Sequence, residues 1–244
     1  MTKGEWNRCT IPQMMLDWLH QQGKLSERKA RLFAVACCRR IWHLLDPAIS
    51  GSRLDIHPRT LVEVAERCAD GDADERELRA AQHASSIVEA WHPAGAACNA
   101  AQLTVPRNAL VAAPIAAKQA IRAVSARIPD DPDMVEPNDP DIEAVERAAH
   151  VAFLRCIFGN PFQFAPTIDP AWLAWNDGTV IHLAQAICDE RKMPDGTFDT
   201  TRLAILADAL EEAEADPMLF EHLRQQGIVH VRGCWCIDLP LGKT

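Results

Sequence analysis

Three Asp-Pro pairs, Asp139-Pro140, Asp169-Pro170 and Asp216-Pro217, each stand immediately before a run of helical apolar spacing. An aspartate at that place accepts the amide hydrogens of a first helical turn. The proline, which has no amide hydrogen, already holds the helical backbone angle. A chain punctuated in this way is committed to helices, and its apolar periodicity agrees.

Pro12 to Gln22 reads as a helix closed by Gly23, with Met15, Trp18 and Leu19 on one side. Ser26 caps a longer helix with Leu32, Phe33, Ala36, Cys37, Ile41, Leu44 and Leu45 on its apolar face, ended by Asp46-Pro47. Further helices are expected over 60–69 and over 74–91, the latter with Ser85, Val88 and Trp91 on its inner side. From 95 to 128 the chain is rich in alanine, and Pro106 and Pro114 are expected to divide it into two or three short, closely packed helices. The helix opened by Asp139-Pro140 should bury Ile142, Val145, Ala149, Ala152, Phe153, Cys156 and Ile157 and stop at Gly159. Others are expected near 179–191, 201–215 and 217–226. The last element, 231–239, reads as helix, although Val231, Gly233, Trp235, Ile237 and Leu239 also alternate as a strand would.

The expected fold class is therefore all-α, a compact multi-helix domain with an alanine-rich middle. Its regions are 1–128, an acidic Pro/Asp loop at 129–141, and 142–244, with the two helical regions packing as one structural unit. The loop lacks the alternating oxygen ligands and central glycine of a calcium loop and reads as solvated. With 244 residues, 48% of them apolar, the chain can bury a core without staples. Its nine cysteines, an odd number scattered through helical patterns, read as reduced and mostly buried thiols.

No apolar run reaches the length of a membrane span, and the first residues, MTKGEWNRCT, lack a secretory segment, so the expected location is cytoplasmic. A net charge of −9 argues against direct nucleic-acid binding and against an anionic membrane surface. The densest basic group, Arg28, Lys29, Arg31, Arg39 and Arg40, reads as the solvated outer face of a helix.

The segments FGNPF (158–162), DPAWLAWNDGTVIHLAQAICDER (169–191), LAILADALE (203–211) and HVRGCWCIDLPLGK (230–243) resemble the shared segments of a family of bacterial helical proteins of unestablished function. The amino-terminal blocks EWNRCTIPQMMLDWL and SERKARLFAVACCRRIWHLL match its pattern as well, which leaves the alanine-rich middle as the divergent part. The resemblance implies no activity, cofactor or substrate. The chain departs from the pattern at Pro240, where the closing segment is usually leucine-rich.

No phosphate loop, dinucleotide fingerprint, nucleophile elbow or HExxH motif is present. His230, Cys234 and Cys236, with Cys188 or His182, are of zinc-binding type. Two cysteines separated by one residue do not form the two-residue knuckle of a structural site, so no metal and no cofactor are expected. Cys234, beside Arg232 and near His230, is the one cysteine with the sequence neighbours of a nucleophile, and His230, Cys234 and Asp238 are the candidate catalytic set if there is one. Arg232 is expected to pair with a carboxylate such as Asp238 or Asp208.

Trp172, Trp175, Asn176 and Asp177, together with Arg232 and Trp235, are the candidate partner-binding residues. The plainer reading is that both tryptophans clamp a turn made by Asp177-Gly178 onto the core. The function expected from these features is a noncatalytic protein-interaction or accessory module of a bacterial system. The alternative is an enzyme or metal-dependent protein with a site near His230, Arg232, Cys234 and Asp238.

Overall fold

A computed structural model describes residues 1–46, 57–84, 93–126, 138–163, 166 and 168–243. The fold is all-α, as the spacing predicts. Its helices are α1 (Lys3–Arg8), α2 (Pro12–Gln21), α3 (Glu27–Arg40), α4 (Pro58–Ala69), α5 (Glu75–Ala84), α6 (Pro93–Gln102), α7 (Ala109–Ser125), α8 (Pro140–Phe158), α9 (Pro170–Asp189), α10 (Thr200–Glu212), α11 (Pro217–Arg224) and α12 (Trp235–Asp238). Among the described residues there is no sheet, only the isolated bridges Lys192 to Thr197 and Thr197 to Val231. No described helix is long and apolar enough to cross a membrane. Ser85, Val88 and Trp91 of the helix expected over 74–91, and 129–137 of the acidic loop, lie outside the described residues.

The chain forms two compact units, a larger one of residues 6–151 and a smaller one of residues 1–5 with 152–244. The division falls within α8 rather than at the acidic loop.

The Asp-Pro starts behave as their chemistry requires. Asp139 Oδ1 accepts from the amides of Asp141 (3.0 Å) and Ile142 (3.3 Å), Asp169 from Ala171 (2.8 Å), and Asp216 from Met218 (2.9 Å). Each such cap is worth about 1 kcal/mol. Ser26 likewise accepts from the Lys29 amide, and Gly23 takes a left-handed backbone, φ +63°, just past α2.

In the larger unit α3 packs against α4, α6 and α7, and α6 runs along α7. The small faces that meet are the buried Ala96, Ala97, Ala100 and Ala101 of α6 and Ala109, Ala113, Ala116 and Ala120 of α7. Short side chains permit closely spaced helix axes. Pro106 falls between these helices as expected, but Pro114 lies inside α7 and does not divide it. An interior proline costs about 3 kcal/mol through a lost hydrogen bond and a clash. The Asn108 cap and the packing of α7 on both α3 and α6 override it.

The solvated basic face expected on α3 is only partly present: Arg40 is exposed and Arg28 and Lys29 are half-buried, but Arg31 and Arg39 are buried. Every residue from Ala30 to Arg39 is buried, so the helix has no outer side along that stretch. Desolvated charges, whether guanidinium groups or the carboxylates they meet, need partners. Arg39 pairs with Glu66 of α4, Arg40 with Glu146 of α8 at 2.7 Å, and Arg28 with Asp70 at 2.7 Å, while Arg31 donates to the Thr104 carbonyl at 2.7 Å. The guanidinium groups of Arg39 and Arg59 lie 4.9 Å and 5.4 Å from the centre of the Trp42 ring.

The buried stripe of α8 also differs from its expected position. Ile142 is 45% and Val145 62% exposed, whereas Glu146 and His150 are buried. Glu146 turns inward because Arg40 is there. Past this turn Phe153, Cys156 and Ile157 are buried as predicted.

In the smaller unit α10 packs on α9 and on α11, and α11 meets α12. The helix α9 is kinked: Trp175 is extended, and Asn176, Asp177 and Gly178 all have positive φ. The expected turn at Asp177-Gly178 therefore separates a one-turn helix after Pro170 from the main helix beginning at Thr179. The expected carboxy-terminal helix over 231–239 shrinks to Trp235–Asp238. Val231 instead bridges to Thr197, and Gly233, at φ +90°, breaks the helical path between them. None of the nine cysteines forms a disulfide, and all but Cys9 and Cys68 are buried.

Candidate functional site

Four side chains of the smaller unit converge on one point. Cys156 comes from the last turn of α8 and His222 from the last turn of α11, on the same face as the buried Leu219. His230 and Cys234 come from the segment before α12. The Phe198 amide donates to the His230 carbonyl at 2.9 Å, which fixes the backbone there beside the bridge of Thr197 to Val231. The Cys234 amide then returns to the Val231 carbonyl at 3.0 Å, a turn closed through the left-handed Gly233.

Cys234 Sγ lies 3.4 Å from His222 Nε2 and 3.6 Å from His230 Nδ1, and Cys156 Sγ lies 3.8 Å from the same His230 nitrogen. The four ligand atoms all lie within 4.8 Å of one another. The imidazole rings meet edge to face, centroids 4.8 Å apart. Cys156, Cys234 and His230 are buried and His222 is half-buried. Burial, together with the neighbouring Cys156, pushes the Cys234 thiol up to about 11 against the opposing pull of His222.

Trp235 shields this cluster. Its ring is 5.2 Å from that of His222, and its indole covers Gly159, where an added methyl would lie 2.8 Å from Nε1. The glycine of FGNPF is thus explained by close approach of an aromatic ring.

Of the residues singled out in the sequence, His230 and Cys234 are brought together. Cys236 turns away and donates to the Leu219 carbonyl at 3.2 Å, Cys188 is buried in α9, and His182 is exposed. Asp238 is buried in α12 and Arg232 half-buried, while Asp208 pairs with Arg224. Trp172 is buried, Trp175 and Trp235 are half-buried, and Asn176 and Asp177 are exposed at the kink. Sequence reasoning missed Cys156 and His222 as members of the cluster. The signal for His222 is its place on the apolar face of α11, three residues after Leu219.

A second feature lies on the larger unit. Between α2, α7 and the start of α8 is a cavity of ≈ 570 Å³ floored by Leu16, Pro114, Ala117 and Ile121. A neighbouring hollow of ≈ 300 Å³ shares Leu16 and Pro114. Around them Ile11, Met14, Val111 and Ile115 are all more than two-fifths exposed. Lys118 and Arg122 line the larger cavity, and neither makes an ion pair among the described residues. The carboxylates on these walls are engaged, Glu143 by Arg147 and Asp17 by the Gln13 amide.

No family model, no curated protein and no solved structure matches this chain.

Proposed function

We propose that the chain is a noncatalytic interaction module, an accessory component of a bacterial system, that receives an amphipathic helix with acidic flanks in the groove between α2 and α7. The supporting observation is the exposed apolar rim of Ile11, Met14, Val111 and Ile115 beside Lys118 and Arg122, which make no ion pair among the described residues. Exposed apolar patches of this kind mark association surfaces. A helix laid in a groove offers apolar anchors at three- and four-residue spacing. Cations beside the groove, on a chain of net charge −9, select carboxylates on the occupant.

A pair of synthetic amphipathic peptides with identical leucine spacing, one with glutamate flanks and one with lysine flanks, tests this reading by fluorescence anisotropy. The acidic peptide should bind and weaken with salt, and the double variant Val111→Asp/Ile115→Asp should lose it. Equal binding of both peptides, or of neither, overturns the reading. A concentration-dependent dimer abolished by the same variant would replace the acidic partner with a second copy.

The alternative, a metal-dependent protein or enzyme with its site near His230, Arg232, Cys234 and Asp238, draws support from the meeting of His230 and Cys234. A catalytic zinc keeps an open position for water or substrate, whereas four protein side chains fill a tetrahedron. The geometry favours the noncatalytic form of that alternative.

A further inference from the structure

We propose that Cys156, His222, His230 and Cys234 bind one zinc ion in a closed tetrahedral site that fastens the smaller unit. The first ground is distance. A tetrahedron built with zinc–sulfur bonds of about 2.3 Å and zinc–nitrogen bonds of about 2.0–2.1 Å has sulfur–nitrogen edges of about 3.5 Å. The measured sulfur–nitrogen separations are 3.4, 3.6 and 3.8 Å. Two thiol hydrogens can reach two ring nitrogens, but the convergence of all four atoms on one centre is the arrangement a cation requires.

The second ground is chemistry. Two sulfurs and two imidazoles in tetrahedral array are a donor set for zinc, borderline-soft and indifferent to geometry. Harder cations such as magnesium and calcium take oxygen ligands instead. Charge balance agrees with burial: two thiolates neutralise the dication, so the filled site carries no net charge into an environment where an unpaired ion is costly. Binding therefore releases two protons, one from each cysteine, and keeps both histidines neutral. His222 coordinates through Nε2 and carries its proton on Nδ1. His230 coordinates through Nδ1 and carries its proton on Nε2, which is buried and has no acceptor among the described residues.

The third ground is support from the fold. The four ligands leave three stretches of backbone that are already fixed: the end of α8 for Cys156, the end of α11 for His222, and the segment from His230 to Cys234 for the other two. The Trp235 ring packs beside the His222 imidazole and limits the approach of water to the half-buried ligand. The site does not depend on the groove of the larger unit, and its test is separate.

The full untagged chain, purified without chelating resin, should carry one zinc per chain by plasma mass spectrometry. After removal of the metal, cobalt(II) titration should produce the strong visible d–d bands of a tetrahedral ion and a thiolate charge-transfer band in the near ultraviolet. Cys156→Ser and His222→Ala should each weaken cobalt binding at least about a hundredfold, because loss even of an outer partner costs 10–100-fold. Cys188→Ser and Cys236→Ser should leave the bands in place. A wild-type chain that remains folded and shows neither stoichiometric metal nor tetrahedral cobalt bands overturns the proposal, whatever the variants do. Iron or copper at one per chain overturns the assignment to zinc.

Discussion

The indole of Trp235 lies against Gly159, so close that a methyl group on that glycine would stand 2.8 Å from Nε1 and 2.9 Å from Cδ1. The glycine also holds φ at +61°, a conformation that side-chain-bearing residues rarely adopt. Gly159→Ala should therefore destabilise the protein by about 1–3 kcal/mol through overpacking and backbone strain together. Urea denaturation read by tryptophan fluorescence measures it, and an unchanged midpoint would contradict the close approach.

The pair of Arg39 and Glu66 is desolvated on both sides, with each side chain 3% exposed. Removing one partner strands a buried charge, so Arg39→Met and Glu66→Gln should each cost about 3–5 kcal/mol. The double replacement Arg39→Met/Glu66→Leu should recover much of that loss, since an apolar pair of similar volume requires no desolvation of charge. A double-mutant cycle in urea provides the comparison, and additive losses would show that the two side chains do not act together.

Glu146 ties stability to acidity. Burial opposes its ionisation, but His150, with Nε2 at 3.2 Å, and Arg40, with Nε at 2.7 Å, outweigh burial and hold the carboxyl below its ordinary value. Cys37 also faces the carboxylate, and Phe33 packs edge-on to His150. Since the folded value is the depressed one, the contribution is complete above the unfolded value of about 4.3 and is lost as pH falls through the folded value. The acid limb of a stability profile should be shallower in Glu146→Gln than in the parent. Identical acid limbs would remove Glu146 from the account.

Legibility of the fold followed the range of the interactions. The helix starts at Asp139, Asp169 and Asp216 were readable because an aspartate caps amides only two or three residues away. The inward turn of Glu146 was not, because its partner Arg40 is 106 positions distant and periodicity alone favours Ile142 and Val145 for the interior. The cluster divides in the same way. His230 and Cys234 stand four residues apart and read together in the sequence, while Cys156 is 74 positions from His230 and reads simply as one more apolar position on α8.

Zinc should raise the stability of the smaller unit by mass action. At free metal a thousandfold above the dissociation constant, the gain is about 4 kcal/mol. Stripping with a high-affinity chelator should lower the urea midpoint of the wild-type chain and leave that of Cys156→Ser unchanged. Equal shifts in both proteins would place the metal elsewhere.

Joining Cys156 to His230 through an ion ties off a loop 74 positions long. Restricting an unfolded chain over that length is worth on the order of 4 kcal/mol in the chain-entropy description of a disulfide. A reductant opens a disulfide, whereas acid or a competing chelator opens this tie. The persistence of the smaller unit would then follow the free zinc around it, so that a protein whose nine cysteines form no disulfide acquires a removable staple governed by metal supply.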